Sequence, residues 1–190
     1  MDIFEIKRQV FHLSLGLAII ILFNSNLINQ VNLAIILIAG ITLSIILTRW
    51  HVPVISWFIK TFDRNDAKFP GEGAVFYVLG CLIVLSIFEK NIALASIMVL
   101  ALGDSVATLA GKRFGKKFLK NNKTLEGSLA GAVLGAIGAM IFVEFSLAVI
   151  GSFTAMFIEA VEIKLWGKGV DDNLYIPLIS ALIMYIVSVI

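Results

Sequence analysis

Cysteine, charge and any large imbalance of charge are all scarce in this sequence, and each shortage removes a class of protein. The one cysteine, Cys81, cannot form an internal disulfide, and its place in an apolar run makes it buried filler. A formal net charge of +2 is too slight to suggest a nucleic-acid partner. Charged residues make up 15% of the 190 positions and hydrophobic residues 59%, with a mean hydropathy of +1.00. A soluble domain is about 45 to 50% apolar even with glycine counted. A water-soluble core of this length could not hide so much apolar surface, and hydrocarbon is the solvent that can accept it. No fixed-period repeat or low-complexity tract breaks the pattern.

What the chain has instead is apolar runs. Seven can be drawn: Gln9 to Phe23, Leu27 to Thr48, Ala74 to Phe88, Ile92 to Gly111, Ser128 to Val143, Phe145 to Ile163 and Leu174 to Ile190. Each approaches the roughly 20 residues that a helix needs to cross a bilayer, the first, third and fifth being short. The division between the fifth and sixth rests only on Glu144 and its neighbours, and a six-helix alternative fuses them into one long tilted helix.

Charge placement favours seven. With that count every basic residue except Lys90 falls on one face. The positive-inside rule makes that face cytoplasmic, with the N-terminus inside and the C-terminus outside. Fusion would carry Lys164 and Lys168 across and weaken the rule. The first run has a basic flank, as a signal peptide does, but no small-residue cleavage site before Asn24, so it is expected to be retained. The expected fold is one all-α domain over residues 1–190, a polytopic, integral membrane helical bundle. Its cytoplasmic loops fall at about 49–73, 112–127 and 164–173. Within the first loop, Pro53 to Phe62 has the pattern of a helix lying along the membrane interface.

Polar residues that intrude on the apolar runs are the candidates for chemistry. Asp104 lies seven residues before Gly111, which is about 10 Å below the cytoplasmic end of its helix at 1.5 Å per residue. A charge at the centre of a span costs roughly 2.5 to 3.5 kcal/mol on insertion scales, so Asp104 is expected to face a hydrated cavity, a metal or a cation. Thr108 and Gly111 share its face. The plain alternative is an aspartate that only joins helices. Glu159 and Glu162, three residues apart, share a helical face and could bind a metal, orient a basic side chain or pack. Asp171, Asp172 and Asn173 precede the last run. Capping accounts for one of them, and adjacent carboxylates suit Mg²⁺ with nucleotide phosphates.

The loop after Asp104 carries the opposite charge. Lys112, Arg113, Lys116, Lys117, Lys120 and Lys123 fall within twelve positions, and Thr124, Glu126, Gly127 and Ser128 open the next helix. Free N–H groups at a helix start, flanked by lysines, form an anion site; contact with anionic membrane lipids is the alternative. The run GKRFGKK is no P-loop, since its glycine spacing is wrong and no Ser or Thr follows the lysine. Glycines 127, 131 and 135 recur every four residues, as close helix packing requires. Metal-binding acids, phosphate-binding cations and a buried carboxylate on one face are the parts phosphoryl transfer needs, with a lipid hydroxyl as acceptor reaching Asp104 from within the bilayer.

Three segments in order, ALGDSVATLAGKRFG, KTLEGSLAG and DDNLYIP, resemble the signatures of the CTP-dependent polyprenol kinase family, which includes dolichol kinases, phytol kinases and CTP-dependent diacylglycerol kinases. Glu5, Arg8 and His12 are similar to the family's E-x-x-R-K-x-x-H pattern, and FPGEGAVFYVLG resembles its third-helix entry. Gln9 departs from the family's usual lysine, with Lys7 as the nearest substitute. The resemblance implies that Asp104 is the essential acid, as metal ligand or as base. It implies that Lys112, Arg113 and Lys123 hold the triphosphate, with Arg8, Lys116, Thr124, Glu126, Gly127 and Ser128 around the nucleotide, and that Asp171 and Asp172 complete a Mg²⁺ site. Catalysis would then rest on Asp104, Lys123 and Asp172, with His12 beside them or as an interfacial polar residue. The implied reaction moves the γ-phosphate of CTP to a lipid alcohol such as dolichol, on the cytoplasmic side; a homo-oligomer is compatible with it. A phospholipid cytidylyltransferase, which shares a K-T-x-E-G stretch, and a transporter using the acids as ion relays are the rival readings.

Overall fold

Long apolar runs with few breakers give helices joined by short turns. The computed structural model describes residues 2–50, 52–64, 67–117, 119, 123–161, 164–165 and 168–190. Its helices are α1 (Ile3–Asn24), α2 (Gln30–Arg49), α3 (Pro53–Phe62), α4 (Glu72–Ile87), α5 (Lys90–Phe114), α6 (Leu125–Ala139), α7 (Phe145–Val161) and α8 (Asp172–Val189). Between α7 and α8 lie β1 (Lys164–Leu165) and β2 (Lys168–Gly169), paired antiparallel, so the all-α expectation holds apart from this short ribbon. Helices α1, α2, α5 and α8 are long and apolar enough to cross a membrane, and α4, α6 and α7 are shorter apolar helices.

Helix α5 is the axis of the bundle, in contact with α1, α4, α6, α7 and α8. Its first half is closed on every side: Ala93, Leu94, Ala95, Ile97, Val99 and Leu100 have no exposed surface. From Val99 to Asp104 the helix widens into a π-helical stretch, a distortion that tends to mark functional sites. The glycine face of α6 lies directly on this stretch. A Cβ at Gly131 would come 2.5 Å from the Gly103 carbonyl oxygen, and one at Gly127 equally near that of Ala107, so only glycine permits the approach. The four-residue glycine spacing is thus a packing device, as the sequence suggested.

The six-helix alternative is overturned. Backbone bonds from Met140 to Ala136, Ile141 to Gly138 and Phe142 to Ala139 close a tight turn after α6, and α7 starts at Phe145 and packs back on α6. Ser152 of α7 donates to the Ala132 carbonyl at 2.8 Å across that pair. Helix α1 begins at Ile3, earlier than its apolar run, because the polar residues Glu5 and Gln9 are buried within the protein instead of marking a loop. Helix α3 forms over the expected residues, with Pro53 at its start, where a missing N–H costs nothing. It turns Phe58 and Phe62 onto Phe11 of α1, at 5.2 and 5.1 Å between ring centroids, and leaves Val54 and Trp57 exposed.

Candidate functional site

Several helix ends meet at one face of the bundle. There the start of α1, the C-terminal half of α2, the starts of α4, α6 and α8, and the ends of α5 and α7 surround a cleft of about 620 Å³. Asp104, His12, Lys123, Asp172 and Glu159 line its polar part; apolar residues of α1, α2 and α3 line the rest.

Three carboxylates form the floor of the polar part. Asp104 ends the π-helical stretch, Glu159 sits near the end of α7, and Asp172 opens α8. Each offers one oxygen, and the three oxygens lie within 4.8 Å of one another. Asp104 and Glu159 are only 5% and 1% exposed, so the group is shielded from water and its charges must be met locally. Lys123 contacts Glu159 and lies 3.6 Å from Asp172, while Arg64 pairs with Asp172 and lies 3.4 Å from Asp171. His12 Nε2 is 3.6 Å from Asp104 Oδ2, with its ring edge-on to Tyr77 at 4.5 Å. Neither His12 Nε2 nor Asp104 Oδ1 has a hydrogen-bond partner among the described residues. A buried carboxylate oxygen left open, beside two further carboxylates, fits a hard divalent cation such as Mg²⁺.

Arg64 is brought in by the turn before α4. Gly71, at φ 79°, adopts the left-handed conformation that glycine tolerates, and its N–H donates to Asp63 Oδ2 at 2.7 Å. This fixes residue 63 and hence its neighbour. Burial works against the Arg64 charge, but Asp172 and Asp171 outweigh it and raise the guanidinium's pKa. Burial pushes the Asp171 carboxyl up to about 6; Arg64 opposes that rise and Asp172 adds to it. The Asn173 side chain donates to the Gly73 carbonyl at 3.3 Å and ties the start of α8 to α4.

The residues singled out in the sequence divide clearly. Asp104, Asp172, Lys123, Arg8, Lys112, Thr124 and Ser128 all line the cleft, as do Thr108 and Gly111. Arg8 and Lys112 both pair with the buried Glu5, Arg8 at 2.6 Å. Thr124 Oγ1 caps α6 by accepting from the Gly127 N–H at 3.2 Å. Asp171 does not join the three carboxylates; it caps α8, accepting from the Asn173 N–H at 3.0 Å, and faces Arg64. Arg113 is exposed, over the ring of Phe114. Lys116 is exposed too, and Glu126 accepts from its backbone N–H at 3.1 Å, which ties the end of α5 to the start of α6. Gly127 packs on α5. Lys7 is exposed away from the cleft, whereas Gln9 lines it and donates to Glu5 at 2.9 Å, so the nearest substitute for the family lysine does not reach the site. Glu162 lies outside the described residues.

Two members of the site carried weaker signals. Glu159 was one of several readings of an acidic pair, and its place in the carboxylate group decides for the charged role. Arg64 looked like any basic residue of a long loop, although a lone arginine flanked by Asp63 and Asp66 was the available hint.

No family model matches the chain, and no solved structure matches it. Among curated proteins, an uncharacterized protein of Methanocaldococcus jannaschii is 34% identical over 187 residues, covering 95% of this chain and 92% of its own. The CTP-dependent diacylglycerol kinase 1 of Schizosaccharomyces pombe is 32% identical over 143 residues, covering 65% of this chain, which spans 64% of that kinase's length. A chloroplastic farnesol kinase of Arabidopsis thaliana is 29% identical over 198 residues, 94% of this chain and 64% of that protein. With the glycine-aspartate pair of α5, the lysine-threonine helix start and Asp172 at the start of α8 assembled around one cleft, the chain belongs to the CTP-dependent polyprenol and lipid kinase family.

Proposed function

We propose that this chain is a CTP-dependent lipid-alcohol kinase that transfers the γ-phosphate of CTP to the hydroxyl of a membrane lipid, a polyprenol such as dolichol being the favoured acceptor. The observation that carries the reading is the composite cleft: three carboxylates, Lys123 and Arg64 at one end, apolar helix faces at the other. A water-soluble acceptor would not need the second half. The names of the relatives, a diacylglycerol kinase and a farnesol kinase, support CTP as donor and a lipid hydroxyl as acceptor. We place the cleft on the cytoplasmic side of a seven-span bundle, where the basic residues gather and CTP is found.

Asp104, Glu159 and Asp172 would hold Mg²⁺, with Asp171 beside them. A divalent cation held by these carboxylates would supply positive charge against the negative charge that develops during transfer. Lys123 and Arg64, which pair with the carboxylates, turn to the phosphates when nucleotide binds, and Lys112 and Arg8 extend the cationic wall. The lipid hydroxyl approaches from the apolar side toward Asp104. His12 Nε2 and Asp104 Oδ2 are the two groups placed to receive its proton.

The test is to incubate purified protein with CTP, Mg²⁺ and a panel of polyprenol, phytol, farnesol and diacylglycerol. CDP release with a lipid monophosphate is the expected result. Pyrophosphate with a CDP-lipid would assign a cytidylyltransferase instead, and release of neither product from any lipid overturns the reading.

A further inference from the structure

The apolar part of the cleft has a definite shape. Helix α2 packs on α4, and α1 rests on α3 and α5, which leaves a trough between the first two helices. Along α2 its wall is formed by Ile36, Gly40, Leu43 and Leu47, spaced as one helical face, with Leu15 of α1 and Phe58 of α3 opposite. From Ile36 to Leu47 this face extends about 17 Å at 1.5 Å per residue. Gly40 sits in the middle of it. Alone among the helix-interior glycines, it has nothing within 4 Å of where a Cβ would stand among the described residues, whereas Gly103, Gly127, Gly131 and Gly135 are pressed against backbone. A glycine in a helix interior is unfavourable relative to alanine, and here no packing contact among the described residues accounts for it.

We infer that this trough holds the hydrocarbon chain of the alcohol substrate and that Gly40 sets the chain it admits. The inference rests on the lipid-alcohol kinase reading for the identity of the occupant. Its ground is continuity: the trough opens into the same cavity as Asp104 and Lys123, so a chain lying on α2 carries its hydroxyl to the carboxylates without leaving apolar contact. The absent side chain at residue 40 keeps the floor level where a larger residue would raise a step across the path. A chain that ends before residue 40 would not meet the step; a longer one would.

The experiment has two arms. In the first, kcat/KM is measured for geraniol, farnesol and geranylgeraniol in the unchanged protein and in Gly40→Ala, Gly40→Leu and Gly40→Phe, with Ala39→Leu on the neighbouring outward face as control. The preference for geranylgeraniol over geraniol should fall with side-chain size at residue 40, on the order of tenfold for Gly40→Phe, and hold in the control. An unchanged ratio across the series overturns the inference. In the second, a farnesol analogue carrying a diazirine is photolysed with the unchanged protein in phosphatidylcholine nanodiscs, and the labelled peptides are mapped. Labelling of 36–47 that excess farnesol suppresses supports the trough even if no phosphoryl transfer is seen, in which case only the kinase reading falls. Labelling elsewhere in a protein that phosphorylates farnesol overturns the trough and leaves the kinase reading standing. Labelling that added phosphatidylcholine suppresses as well as farnesol does assigns the trough to bulk lipid and overturns the inference.

Discussion

Helices α2 and α5 are both among the longest apolar segments of the chain, yet the protein uses them in opposite ways. Within the most apolar stretch of each, 78% of α5 is buried and only 11% of α2. Composition explains the difference. The buried half of α5 interleaves Ala93, Ala95, Ser96, Ala101 and Gly103, so neighbouring backbones come close on all sides; α2 carries bulky isoleucines and leucines around most of its circumference. In hydrocarbon, association is driven by packing and not by apolarity, so small residues mark the packed helix and branched residues the open one. The carboxylates stand on the packed side and the trough on the open side. Chemistry needs fixed geometry, whereas a chain-binding wall tolerates variation.

The strongest challenge to this division is Asp104→Asn. The change keeps the shape of the side chain and relieves repulsion within the carboxylate group, so the protein should still elute as a folded species in detergent. On the proposed mechanism phosphoryl transfer should fall about 10²- to 10³-fold, because it sets the lost charge at the reacting centre. Retention of normal kcat would remove the carboxylate group from the chemistry and leave the packed side without its purpose.

Next in size is a pair of matched substitutions. Gly131→Leu drives a side chain into the Gly103 carbonyl and should destabilise the α5–α6 crossing by about 3 kcal/mol or more, visible as a fall in detergent Tm or in the yield of monodisperse protein. Gly40→Leu places its Cβ where no atom of the described residues lies within 4 Å and gains helix propensity of up to about 1 kcal/mol, so its Tm should hold or rise. Equal losses at both positions would erase the contrast between the two helices.

A smaller effect is expected at Arg64, the cation that faces Asp171 and Asp172. Arg64→Gln removes the positive partner of Asp172 and Asp171. The KM for CTP should rise and kcat fall, together on the order of 10- to 100-fold in kcat/KM. Arg64→Lys should recover only part, since one ammonium cannot address two carboxylates as a guanidinium fork does.

How these parts could be read in advance follows from the same contrast. Asp104 was visible because a lone acid in an apolar run is costly, and Asp172 because three polar residues exceed what a helix cap requires. Lys123 was visible as the last lysine before a helix start. Glu159 was visible only as one of two glutamates with several uses, and Arg64 was one basic residue among several in a loop; its partner Asp172 lies 108 residues along the chain, a separation no local pattern encodes. The helix set is legible in the sequence, the turn at residues 140–144 through charge placement more than hydropathy, whereas the small β1–β2 ribbon is not. The trough left no trace in the sequence, because an isoleucine facing a substrate chain and one facing bulk lipid obey the same chemistry. Gly40 was the available sign, being a glycine on a helix with no close neighbour.

The finest test of the packed side concerns a single hydroxyl. Thr124 Oγ1 accepts from the Gly127 N–H at 3.2 Å and is buried at the cleft wall, so it both caps α6 and holds Lys123 in register with Glu159 and Asp172. Thr124→Ala should cost about 1 kcal/mol of stability, the usual worth of such a cap, and Thr124→Ser should restore it. Hydrogen exchange separates the two roles: the Gly127 amide should exchange faster in the alanine variant while amides in the middle of α5 keep their protection, because the closed half of the bundle does not depend on that hydroxyl. Faster exchange throughout α5 would mean that the cap braces the whole core, and the rigid region would then extend to the very edge of the cleft.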